Sequence, residues 1–144
     1  MRKLTAIVAA SALLTACGGD DSPTPRPGAA LTYLRTGGVA ATPQRLVVEA
    51  DGASSLATGV PGSRRRSRFT LSAEQSAELQ ELARKAELPA LSAEPQGPVT
   101  CADCYLYRVT YAGVRVERAE PDLPAALAGL VSALQDVVAA HGGG

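Results

Sequence analysis

The stretch YLYRVTYAGVRVE, residues 105–117, decides the fold. Tyr105, Tyr107, Val109 and Tyr111 alternate with Leu106, Arg108 and Thr110, the period of two expected of a strand with one buried face. Ala112-Gly113 interrupts the alternation as a two-residue turn, and Val114 and Val116 return to the same face. Counting across that turn sets Tyr111 opposite Val114, Val109 opposite Val116 and Arg108 opposite Glu117. The last is an opposite-charge pair on the other face, which agrees with the register. The stretch therefore predicts an antiparallel hairpin.

Helices flank it in the sequence. Residues 122–140 place Leu123, Leu127, Leu130, Val131, Leu134 and Val138 on one stripe of a helix. An earlier helix starts at Ser72, an N-cap with Gln75 three residues on. Its Leu79, Leu82, Ala83 and Ala86 recur at helical spacing, Glu74, Glu78 and Glu81 face away, and Pro89 stops it. Residues 89–100 then read as loop.

Three strands are expected before that helix. Residues 30–36 and 44–50 are rich in β-formers, and residues 54–58 return after Asp51-Gly52, a two-residue hairpin signal. Residues 59–69 read as a loop carrying Arg64, Arg65, Arg66 and Arg68. That cluster is either a solvated surface or a contact for anionic head groups. The order β-β-β-α-β-β-α implies an α+β fold, two helices packed on one face of an antiparallel sheet.

The N-terminus carries a different kind of signal. Met1-Arg2-Lys3 precedes an apolar run over residues 4–14, too short to span a bilayer but of the length of a secretory signal. The run closes Leu14-Thr15-Ala16-Cys17, which resembles the lipobox of bacterial lipoproteins. The resemblance implies diacylglyceryl transfer to the Cys17 sulfur and cleavage before it. The expected organisation is a signal peptide over residues 1–16, a Gly/Pro-rich tether over 17–29, one domain over 30–140 and a disordered tail over 141–144. The expected location is the cell envelope, membrane-anchored and facing the exterior or periplasm.

Composition narrows the function. The 144 residues carry 14 basic and 14 acidic side chains, so the charge balance predicts no nucleic-acid partner. With no Trp and one Phe, a large aromatic platform for carbohydrate is not expected, although Tyr105, Tyr107 and Tyr111 suffice for a small one. Cys101 and Cys104 remain an even pair in an exported chain, and a structural disulfide is the first reading. Redox chemistry and a metal site are the alternatives, but CADC leads into a strand instead of opening a helix, and His141 is the only histidine. Neither His141, Lys85 nor the pair Glu117 and Glu120 has the neighbours a catalytic centre needs. No enzyme activity, cofactor or metal is expected.

Three features together resemble the emfourin family, small inhibitors of thermolysin-like metalloproteases of the protealysin type. YLRTGGVAA (33–41) is similar to its Arg-Ser/Thr-Gly-Gly signature, with Ala41 where the family has a further glycine. The hairpin at Asp51-Gly52 and the first helix ending in AELPAL fall where the family has theirs, and ADCYLYRVTYAG (102–113) resembles its Asp-to-Tyr strand and turn. The resemblance implies a protein-binding loop including Arg35, Thr36, Gly37, Gly38 and Val39, and a secreted thermolysin-like metalloprotease as partner. Read without it, the two glycines form a turn or bulge needing positive φ. The other classes open to the chain are a non-inhibitory envelope lipoprotein that binds another protein or a small ligand, and a thiol oxidoreductase using Cys101 and Cys104.

Overall fold

The computed structural model describes residues 28–40 and 42–142. The expected signal peptide, Cys17, most of the expected tether, Ala41 and the last two glycines lie outside the described residues.

The hairpin read first has the expected register. β5 (Tyr105–Tyr111) and β6 (Val114–Ala119) pair with Tyr111 opposite Val114, Val109 opposite Val116 and Arg108 opposite Glu117. The Arg108 Nε donates to Glu117 Oε2 at 2.6 Å. Ala112 and Gly113 both take positive φ, 50° and 81°, as a primed two-residue turn requires.

Four strands precede the first helix, one more than expected: β1 (Leu31–Gly37), β2 (Gln44–Val48), β3 (Ala53–Thr58) and β4 (Arg65–Thr70). The added strand takes up the second half of the loop expected over residues 59–69, whose basic composition hides it. It is an edge strand, the position where charged side chains do not disturb a sheet and even protect it from further pairing. The β2–β3 connection also differs. Glu49 N donates to Ala53 O at 2.8 Å, so three residues, Ala50, Asp51 and Gly52, make the turn, with Gly52 at φ 87°.

All neighbours in the sheet are antiparallel, in the order β4-β3-β2-β1-β5-β6. Strand alternation sends Leu31, Tyr33, Leu46, Val48, Leu56, Val109 and Val116 to one face, where each is at most 2 % exposed. Three helices cover that face, one more than expected. α1 (Ala73–Lys85) opens with the expected capping box: Gln75 N donates to Ser72 Oγ and Ser72 N to Gln75 Oε1, both at 3.1 Å. Lys85 pairs with Glu81 at 3.4 Å.

Pro89 does not end α1. Glu87 does, by entering the left-handed region at φ 48°, and Pro89 then sits in the first turn of α2 (Leu88–Ala93), where its missing N–H costs nothing. The loop expected over residues 89–100 therefore begins as a helix. Arg118, 9 % exposed, holds α2 to β6 by donating to Leu91 O at 2.6 Å.

A 3₁₀ turn (Glu120–Asp122) leads to α3 (Ala125–His141). Its buried stripe is Leu127, Leu130, Val131, Leu134, Val137 and Val138. The helix includes His141, placed by the sequence reading in a disordered tail. The imidazole lies flat on Phe69 of β4, ring centroids 3.7 Å apart and planes 5° apart, so the C-terminal turn is tied to the edge strand.

Candidate partner-binding end of the sheet

Antiparallel order gathers three connections at one end of the sheet. They are residues 38–43 between β1 and β2, residues 59–64 between β3 and β4, and residues 94–104 leading into β5. Each carries one of the large apolar side chains that the fold leaves exposed: Val39 at 89 %, Val60 at 47 % and Val99 at 45 %. Backbone bonds tie the connections together. Gly59 N donates to Pro43 O at 3.0 Å, and Gly38 N donates to Cys104 O at 3.2 Å.

The first loop is held at its stem by two glycines. Gly37 (φ 80°) and Gly38 (φ 73°) both lie in the left-handed region. A Cβ on Gly37 would stand 2.5 Å from the Cys104 carbonyl oxygen, and one on Gly38 would overlap the Tyr105 ring. The glycine requirement is thus double, for backbone freedom and for close approach. Cys101 and Cys104 lie at disulfide distance, Cα atoms 5.7 Å apart, directly behind this contact.

The residues expected as one loop divide between two roles. Arg35 and Thr36 belong to β1 and point to opposite faces, so Arg35 through Val39 do not form one contact surface. Arg35 is half-buried on the helix-covered face, its guanidinium 4.5 Å above the centre of the Tyr105 ring, and its Nε is buried without a hydrogen-bond partner among the described residues. That cation–π contact stiffens the loop from below. Val39, beyond the end of the strand, is the exposed apolar part of the segment. Val60 and Val99 were missed in the sequence, where the one available signal was a lone valine between turn-forming residues.

Tyr33, Tyr105 and Tyr107 line the helix-covered face below these loops, whereas Tyr111 stands at the opposite end of β5 beside the Ala112-Gly113 turn. Tyr33 and Tyr107 stack with centroids 6.3 Å apart, and Gln135 of α3 donates to the Tyr107 hydroxyl at 3.1 Å. Tyr33 is fully buried and its hydroxyl has no hydrogen-bond partner among the described residues. Burial pushes its phenol up to about 12, with Gln135 and Arg35 nearby offsetting part of the rise. An unfolded chain ionises Tyr33 near pH 10. The neutral phenol therefore supports folding fully below pH 10, and that support is lost as pH climbs from 10 to about 12. Tyr33→Phe is expected to shrink this alkaline loss and to hold or raise stability at pH 7 by about 1 kcal/mol, because an unpartnered buried hydroxyl is removed. Urea unfolding at pH 8, 10 and 11 reads both effects; an unchanged alkaline slope would mean the phenol is solvated.

Among the described residues no group of His, Cys, Asp and Glu is arranged to hold a metal, and no helix is long and apolar enough to cross a membrane. No protein-family model matches the chain, and no curated protein matches it significantly.

Proposed function

We propose that the chain is a lipid-anchored envelope protein whose loop end binds a secreted thermolysin-like metalloprotease and inhibits it. The observation that carries this reading is Val39: an apolar side chain 89 % exposed at the tip of a loop whose stem is packed on Cys104 and Tyr105. A loop ordered before contact loses little freedom on binding, which is the economy an inhibitory loop needs. Val60 and Val99 extend the apolar contact, and a Cys101–Cys104 bond, formed in an oxidising exterior, holds the third connection in place. The Thr-Gly-Gly resemblance to the emfourin signature points to the same loop. Cys17 supplies the membrane anchor.

Titrating the full chain against thermolysin-like enzymes tests this reading. Stoichiometric inhibition is expected. Val39→Asp is expected to weaken it tenfold or more, as for a residue at the centre of a contact, without lowering Tm. Full protease activity in the presence of micromolar folded protein would remove the inhibitory reading.

A further inference from the structure

Among the described residues, the face of the sheet turned away from the helices has no covering element, and it is strongly basic. Register assigns its side chains in rows. One row runs Arg68, Ser55, Val47, Thr32, Thr110, Arg115, and the next runs Arg66, Ala57, Arg45, Leu34, Arg108, Glu117. Glu117 is the acid in these rows, and it is taken up by Arg108. Arg45, Arg66, Arg68 and Arg115 are exposed and make no ion pair among the described residues. Arg64, in the adjoining loop, lines the same groove as Arg45, Arg66 and Arg68.

The run of arginines in the sequence is thus resorted by strand parity. Arg66 and Arg68 join Arg45 from β2 and Arg115 from β6, whereas Arg65 falls on the other face. Glu49, just past β2, borders this face at its far end, and most acids gather elsewhere: Glu74, Glu78, Glu81, Glu87 and Glu94 lie on or beside α1 and α2. A chain with no net charge therefore presents one cationic side.

We infer that this open face docks on a bilayer surface rich in anionic phospholipid head groups. Its shape and chemistry favour that occupant. Six strands at about 4.8 Å spacing make a face about 24 Å wide, with arginines on both edges and in the middle. That spread matches a laterally uniform sheet of phosphates better than a single charged ligand. Between the arginines stand Thr32, Val47, Ser55 and Thr110, and no aromatic ring in these rows is available to stack on bases, which disfavours nucleic acid. The inference goes beyond the anchor: it concerns the folded face and does not depend on Cys17 carrying lipid.

The test uses the full chain with Cys17→Ser, so that no acyl chain contributes, and compares sedimentation with neutral phosphatidylcholine vesicles and with vesicles containing 30 % phosphatidylglycerol (a typical anionic fraction). The readout is the ratio of the two partition coefficients. The parent chain is expected to favour anionic vesicles, less so as salt rises. Each surface arginine contributes about fivefold, so combining Arg45→Gln, Arg66→Gln, Arg68→Gln and Arg115→Gln should cut the ratio more than a hundredfold. Arg84→Gln with Lys85→Gln, on α1, should leave it within a fewfold of the parent. All the substituted side chains are exposed, and circular dichroism checks that each variant folds. A ratio unchanged in the four-arginine variant, or no preference in the parent, overturns the inference. Tighter binding to soluble poly-glutamate than to anionic vesicles at equal charge would overturn it in favour of an acidic polypeptide.

Discussion

Gly38→Ala is expected to lower stability by about 2–4 kcal/mol. Two effects add. An alanine at φ 73° costs about 1–2 kcal/mol because its Cβ crowds the following carbonyl. The new methyl also overlaps the Tyr105 ring, which must move and give up its contact with Arg35. Gly113→Ala is the matched control, since Gly113 has a similar φ of 81° but nothing within 4 Å of its added Cβ. It should lose only the conformational part, about 1–2 kcal/mol. Urea unfolding of both variants separates backbone strain from the clash. Equal losses would show that the ring yields freely and that the loop stem is not fixed by Tyr105. The same variant should weaken protease inhibition by more than its stability loss explains, because the path of Val39 depends on that stem.

Cys17→Ser is expected to abolish lipid attachment altogether. The thiolate is the acceptor for the diacylglyceryl group in the lipobox reading, and a hydroxyl does not replace it. Each acyl methylene buried in the bilayer contributes about 0.8 kcal/mol, and more than one chain makes anchoring stable, so the difference between modified and unmodified protein is far larger than any surface contact supplies. Incorporation of labelled palmitate, with the intact mass of the purified protein, measures it directly. Label retained in the serine variant would refute the anchor. Label lost, together with a preserved preference for anionic vesicles, would show that the acyl chains and the arginine face act independently.

Much of the fold was legible because local signals agreed with one another. The β5–β6 register followed from alternation, a two-residue turn and one charge pair, and α1 followed from Ser72 and Gln75. The two missed elements failed for specific reasons. β4 is an edge strand with Phe69 and Ser67 as its inward-facing middle, so its composition resembles a solvated loop. α2 begins next to a proline, which reads equally well as the stop of one helix or the start of another, and the true break is a left-handed Glu87 that carries no compositional mark. The loop end was half legible. Gly37-Gly38 announced a backbone need for positive φ, but the convergence of Val39, Val60 and Val99 is a product of strand order, which separates them by about twenty to forty positions in the chain. The basic face was hidden for the same reason, since Arg45, Arg68 and Arg115 share it only after five registers are set.

β1, the first strand among the described residues, stands in the middle of the sheet, between β2 and β5. Its second neighbour is distant in sequence: Leu31 pairs with Tyr111. A polypeptide that emerges amino end first from a ribosome or a secretion pore can form the meander β1 to β4 early, yet one side of β1 stays an open edge until residue 111 has appeared. During that interval the unpaired backbone of residues 31–37 is a template for wrong pairing. Vectorial emergence therefore makes the last hairpin the step that commits the domain, and a chain stopped before β5 should be the form that cells must chaperone or destroy.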